Sequence, residues 1–310
     1  MNSLQGKQGW VRNSSGWRLW LRAFVALCLS AVSLLAGAAP LLLWEVSGAG
    51  APVWLFGSVH VCRADCFPLP ASVESRFRRA DVLAVEIDPT RSDLTGMLAG
   101  LGGGEEGSLH DKLGSSDWRR LNRQLSTMGM PEEALDALSP AMANVFVAVS
   151  AAQRAGLSPM HGTDLHFINL AQSQGKRLVE LETVERQMQA LSAGSEREQV
   201  DSLRASLRAA EDGTLRASLD ELVGAWRRGD AAGLSEALRK AQSADPSSRA
   251  MFEDLFDKRN REMSDAIVRL AREGRSVFVV IGSGHLAGKA AIPDLLARRG
   301  YRVRQLNSGD

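Results

Sequence analysis

The sequence predicts an α/β protein: a central mixed sheet built from both chain ends, carrying a large helical insertion. Three observations predict it. Strand-like runs crowd into residues 41–87 and 277–306, the residues between them carry mostly helical spacing, and neither end holds enough strands for a sheet of its own. The two ends must therefore meet. Of the 310 residues, 45% are hydrophobic and 24% charged, enough apolar material for one sizeable core. A formal net charge of +1 gives no basic footprint, so no nucleic-acid partner is expected.

The first 38 residues form a separate object. Lys7, Arg12, Arg18 and Arg22 precede the uncharged run Ala23–Leu35, and Ala36-Gly37-Ala38 follows. Basic, apolar and small-residue segments in that order read as a secretory signal. The alternative is an uncleaved anchor helix, for which this run is short. The division is thus 1–38 signal peptide or anchor and 39–310 folded domain, with the insertion at about 91–260. The expected location is periplasmic or secreted, with membrane attachment only if the segment is retained. Removing its four basic residues leaves 33 basic against 36 acidic residues.

Trp44–Ser47 and Val53–Phe56, separated by the turn-forming Gly48-Ala49-Gly50-Ala51-Pro52, read as a hairpin. Val82–Ile87 is a short buried strand, Arg177–Leu181 a weaker one, and Val277–Ile281 the strongest. Tyr301–Leu306 alternates and suits an edge strand. Helices are expected at 72–80, capped by Ser72, and at 117–128, 131–138, 141–155, 196–210, 218–228 and 231–240. A long one is expected over 251–273, ending at Gly274. Gly102–Gly107 reads as a loop.

Candidate chemistry sits where strands end. Gly57-Ser58-Val59-His60 and Gly282-Ser283-Gly284-His285 each follow a strand, with Gly57 and Gly282 at the bend and an imidazole three residues later. Glu86 closes a third strand. In an open α/β sheet, ligands bind beyond the carboxyl ends of strands. The spacing alone is weak, because Gly107–His110 repeats it with no strand before it. The strand context carries the specificity, and His110 is expected away from the rim. Glu86 interrupts an apolar run, and a buried carboxylate needs a partner, either a cation or an arginine such as Arg79. Two imidazoles and a carboxylate are also a common donor set for a catalytic divalent metal ion.

His161–His166 is a polar cluster in which Asp164 is expected to cap the following helix. Glu182 closes the Arg177–Leu181 run and can approach the same rim. Arg259, on the long helix, is placed to bind a substrate carbonyl or carboxylate. Cys62 and Cys66 suit a short-loop disulfide in an oxidising compartment, with free thiols or metal ligands as the alternatives.

Several of these stretches form an ordered series. Leu43-Trp44-Glu45-Val46, Trp54–His60, Leu69-Pro70 and Ala80–Glu86 open it. Gly162-Thr163-Asp164, Gly175-Lys176, Leu181-Glu182-Thr183 and Gln187 follow. Lys258-Arg259-Asn260, Val279–Gly288 and Gly300–Val303 close it. The series resembles the TraB/GumN (Tiki-like) family over residues 41–306. The resemblance implies a Tiki-like α/β fold near metal-dependent proteases that act on secreted signals, with erythromycin esterases and haem-binding ChaN-like lipoproteins as distant relatives. It places His60, His285 and Glu86 as the site and Arg259 in an Arg-Asn pair. Ser58 stands where Thr is commoner.

The expected function is an extracytoplasmic metal-dependent hydrolase, metallopeptidase-like. It would use a divalent metal ion at His60, Glu86 and His285, with Arg259 or a backbone N–H near Gly284 stabilising the oxyanion. Its partner would be a peptide or small-molecule substrate. Two alternatives use the same cleft: a non-catalytic protein that binds haem, metal or peptide, and a metal-free hydrolase with histidine as general base.

Overall fold

The fold is described by a computed structural model covering residues 39–48, 50–90, 107–288 and 290–310. The export segment expected over 1–38 and the loop at 102–106 lie outside the described residues. In chain order the elements are β1 (Pro40–Ser47), β2 (Val53–Ser58), α1 (Ala71–Arg79), β3 (Val82–Val85), α2 (Leu109–Leu125), α3 (Glu132–Asp136), α4 (Pro140–Arg154), α5 (Thr163–Ser173), β4 (Arg177–Glu180), α6 (Val184–Leu191), α7 (Glu196–Asp212), α8 (Thr214–Arg227), α9 (Ala231–Ala244), α10 (Arg249–Phe252), a π-helical turn (Glu253–Lys258), α11 (Arg259–Ala271), β5 (Val277–Gly282), α12 (Ile292–Arg298) and β6 (Arg302–Asn307).

The strands make one mixed sheet in the order β4-β3-β5-β2-β1-β6. It draws on both chain ends, as the composition of the two ends requires. β1 and β2 pair antiparallel as the expected hairpin, with Trp44 opposite Leu55. β2, β5, β3 and β4 run parallel. The apolar runs of β2, β3 and β5 are buried along their length, which is what a strand covered on both faces demands. β6 alternates exposed and partly buried residues and takes one edge beside β1. Parallel order aligns the carboxyl ends of β3, β5 and β2 on one rim, with Ser58 level with Gly282 and Val85 level with Val280.

Two hydrophobic clusters hold the chain. One surrounds the sheet, where Phe56, Phe77 and Phe278 gather about Phe167 at ring separations of 5.5, 5.0 and 5.1 Å. Offset and tilted rings of this kind add favourable quadrupole contacts to their burial. The other joins α2, α4 and α7 through Leu121, Val147 and Leu203. Helix starts follow their caps: Ser108, Ser139, Thr183 and Ser195 each accept a backbone N–H, and Ser195 with Glu198 completes a capping box.

Three expectations need correction. Ser72 does not cap α1; the N-cap is Pro70, with no side-chain bond. The helix expected from residue 117 starts at Leu109, and Gly114 at φ 75° breaks the helical spacing inside it. The long helix over 251–273 is interrupted by the π turn, which delivers Leu255 and Phe256 to the site described below. Cys62 and Cys66 are disulfide-bonded, with Cα atoms 6.3 Å apart. Among the described residues no helix is long and apolar enough to cross a membrane.

Trp226 of α8 ties the helical layer to the sheet. Its buried Nε1–H donates to the Gly57 carbonyl at 2.7 Å, inside β2. Trp226→Phe leaves that carbonyl without its donor. The expected outcome is a loss of about 1–3 kcal/mol, read as a lower urea midpoint with an unchanged slope.

Candidate active site at the strand ends

Three neighbouring strands deliver the centre. Glu86 is the first residue past β3, His60 the second past β2 and His285 the third past β5. Gly282 lies among them. A Cβ on Gly282 would stand 3.1 Å from Glu86 Oε1, 3.4 Å from His60 Nε2 and 3.5 Å from His285 Cδ2, so the three side chains surround one point. His110 does not join them. It lies on α2 with its ring stacked on Trp118, 5.1 Å between centroids.

Glu86 is 6% exposed and fully bonded. Its Oε1 accepts the Gly282 N–H at 2.6 Å. Its Oε2 accepts from Arg259 Nη2 at 2.7 Å and from Gln187 Nε2 at 3.2 Å. The partner of this carboxylate is therefore Arg259 and not Arg79, whose guanidinium sits over Trp54. Arg259, at the start of α11, is itself 1% exposed. Its Nε donates to Glu182 Oε2 at 2.8 Å, its Nη2 also bonds Glu182 Oε1, and its Nη1 reaches the Leu255 carbonyl at 3.4 Å. Geometry thus makes Arg259 a positioning group for two carboxylates. Glu182 does approach the rim, through Arg259 and Gln187.

Each histidine is oriented by its second nitrogen. Asn260 Nδ2 donates to the Ala290 carbonyl at 3.0 Å, which turns Oδ1 toward His285 Nδ1 at 2.7 Å. His285 therefore carries its proton on Nδ1, and its Nε2 lone pair points at Glu86 Oε1, 3.6 Å away. His60 Nδ1 lies 3.1 Å from Asp164 Oδ2. Asp164 thus serves His60 and does not cap α5, whose N-cap is Gly162 with no side-chain bond. The neighbouring residues brace the same loop. Thr163 Oγ1 accepts from the Val59 N–H at 3.0 Å, the Thr163 N–H donates to the Val59 carbonyl at 3.0 Å, and a Cβ on Gly162 would lie 2.6 Å from the His60 carbonyl oxygen. On the far side of His60, Cys62 exchanges two backbone hydrogen bonds with Ser158.

These surroundings set the charges. The Asp164 carboxylate pushes His60 up to about 9, against desolvation. With its ring 63% exposed, His60 has solvent screening its pair with Asp164. Burial opposes ionisation of Glu86, yet the imidazoles of His285 and His60, the Arg259 guanidinium and the Gly282 N–H hold it low. Burial pushes His285 down to about 4, outweighing the pull of Glu86. Burial thus biases His285 toward its neutral form, and Arg259 supplies the permanent positive charge that Glu86 faces. Burial raises Glu182, and Arg259 counters part of that rise.

The residues fit a divalent cation by chemistry. Two imidazoles, each with a partner on Nδ1, stand with Nε2 near a carboxylate, which is how metal-binding histidines are held; His60 would have to give up its Nε2 proton to coordinate. Among the described residues no group of three or more His, Cys, Asp or Glu side chains is arranged to hold an ion. A cavity of about 550 Å³ opens on the centre. His60, Glu86, Asp164, Arg259 and His285 line it from the sheet side, and apolar residues of α8, α9 and the π turn line it from the insertion.

Comparison with known proteins agrees with the motif series. The sequence profile described as the TraB/PrgY/gumN family matches residues 42–305. Two similar relatives are both described as "Uncharacterized protein YbaP", from Escherichia coli (strain K12) and Shigella flexneri. Each is 25% identical over 252 residues, covering 78% of this chain and 86% of the relative. No solved structure gives a significant match.

Removing Arg259 leaves Glu86 and Glu182 buried without their shared cation. Arg259→Met is expected to cost about 3–5 kcal/mol by chemical denaturation, much more than the same change at an exposed arginine such as Arg197. In chelator-treated protein, the His60 ring resonances should titrate well above 6.5, and Asp164→Asn should bring them back toward 6.5. Because the folded value lies above the unfolded one, the stability this pair contributes is complete below about 6.5 and is lost as pH rises through about 9. Asp164→Asn should flatten that part of the stability–pH curve.

Proposed function

The chain belongs to the TraB/PrgY/gumN family, and from that premise we propose that it is an extracytoplasmic metal-dependent hydrolase that cuts peptide bonds. One observation carries the reading. His285 Nε2, its ring fixed by Asn260 on Nδ1, and Glu86 Oε1 face each other across 3.6 Å, with His60 Nε2 also gathered about Gly282. Donor atoms converging in this way would suit a shared electrophile, and a divalent cation held by His60, Glu86 and His285 would be one. When bound, the cation supplies Lewis acidity, lowering the pKa of water and polarising a carbonyl.

The chain's own residues prepare the site for this chemistry. Arg259, Gln187 and the Gly282 N–H keep Glu86 ionised and fixed. Asn260 and Asp164 each hold an imidazole by Nδ1, so that Nε2 is the nitrogen turned toward the centre. Groups held this way need little reorganisation during reaction. In hydrolysis, water adds to the scissile carbonyl carbon, the C–N bond breaks, and the proton released by water goes to the leaving amine. Export is supported by the order of segments in residues 1–38, and a disulfide at Cys62–Cys66 suits an oxidising compartment.

Metal content of the protein purified from the cell envelope, titration with Zn²⁺, Mn²⁺ and Co²⁺, and digestion of a peptide library test the proposal together. One cation per chain is expected, weakened at least tenfold by His285→Ala, with cleavage that stops on chelation and returns on adding the cation. A cation bound without cleavage favours the binding-protein reading. Cleavage unaffected by a chelator favours the metal-free one.

A further inference from the structure

We infer that the cavity is a subsite for bulky apolar side chains, so that the ligand is an uncharged stretch of peptide with aliphatic or aromatic residues beside the bond that reaches His60, Glu86 and His285. The inference rests on the proposed function for the identity of the ligand as a peptide, and on the cavity for its character.

The described surface hides its large apolar side chains well. Met160, at 75%, is the one large hydrophobic residue that stands exposed among the described residues. Yet Leu219 and Leu222 of α8, Leu238 of α9, and Leu255 and Phe256 of the π turn are only partly buried, and all line this cavity. Half-covered leucines gathered in one concave place mark apolar surface kept for a ligand.

The charged groups are confined. Those lining the cavity are His60, Glu86, Asp164, Arg259 and His285, and each already has a partner within this cluster or on a residue next to it. Among the described residues, the insertion contributes no Lys, Asp or Glu to the lining besides Asp164. A charged ligand side chain in this space would lose water and find no counter-ion, a costly transfer. An apolar one gains by burial. About 550 Å³ accommodates more than one such side chain together with the backbone between them.

The π turn sharpens the fit. A Cβ on Gly284 would lie 2.6 Å from Phe256 Cε1, and the Phe256 ring stands 5.3 Å from the His285 ring. Phe256 therefore joins the apolar wall directly to the imidazole, so a residue seated against it has its backbone beside the centre.

The test is calorimetric binding of three blocked peptides to the full-length protein, with chelator present to prevent turnover: acetyl-Ala-Leu-Leu-Ala-amide and its Asp-Asp and Lys-Lys counterparts. An octanoyl ester is the fourth probe. The Leu peptide should bind at least tenfold tighter than either charged peptide and tighter than the ester. Leu222→Gln, with its melting temperature checked, should weaken only the Leu peptide. Equal binding of a charged peptide, or tighter binding of the ester, overturns the inference. A separate incubation with Zn²⁺, Mn²⁺ or Co²⁺ reads hydrolysis. Selective binding of the Leu peptide without any cleavage supports this inference and defeats only the hydrolytic reading.

Discussion

A buried negative charge governs the centre of this protein. Glu86 sits at 6% exposure at the end of a strand that is otherwise fully apolar. An unpartnered carboxylate there would cost several kcal/mol or simply take up a proton. The fold compensates it from three directions: the backbone of β5 through Gly282, the start of α11 through Arg259, and α6 through Gln187. Each partner is far away in sequence, so the charge is tolerated only when the sheet, α6 and α11 have all assembled. Arg259 is shared with Glu182, so two carboxylates divide one guanidinium. That leaves the centre short of positive charge. His60, pushed up mainly by Asp164 with a smaller pull from Glu86, adds some back, and the cation we propose would add more.

The same logic explains the histidines. An imidazole can coordinate, accept a proton or donate one, and which it does depends on its other nitrogen. Asn260 and Asp164 make that choice from opposite sides. The amide gives His285 a neutral partner in a buried place, so the ring stays uncharged. The carboxylate gives His60 an ionic partner in an open place, so the ring holds its proton. Two residues that look alike in the sequence therefore enter the site in different protonation states.

How much of this was legible depended on how local the cause was. His60, Glu86 and His285 could be picked out because each follows an apolar run, and a run of that kind fixes a strand end. That β2, β5 and β3 are neighbours follows from parallel pairing of buried strands, and it puts the three on one rim. Asp164 was misread because an acid in the first turn of a helix has a common local use, and the actual use lies 104 residues away. Asn260 carried no role in the sequence, since its task appears only when α11 lies beside the loop after β5. Its place next to Arg259 in the Arg-Asn pair was the one available signal. The π turn was invisible for a related reason. Residues 251–273 have helical spacing throughout, and the extra residue per turn shows only against the groups it must reach.

The division of labour between the two parts of the chain follows from these causes. Strand ends supply His60, Glu86 and His285, because parallel strands let residues far apart in sequence meet at fixed spacing, and helices supply the groups that hold them. The insertion supplies most of the apolar wall through helices whose leucines need only face inward. A helix can exchange one leucine for another apolar residue at small cost, whereas no member of the Glu86 network can change without stranding a buried partner. The chemistry is therefore anchored in the part of the molecule least able to vary, and the shape of the cavity in the part most able to. Phe256 belongs to both. It lies on the helical side, yet it touches His285 and closes over Gly284. A change at that one residue would alter pocket shape and imidazole packing together, which makes the π turn the point where ligand choice and chemistry are coupled.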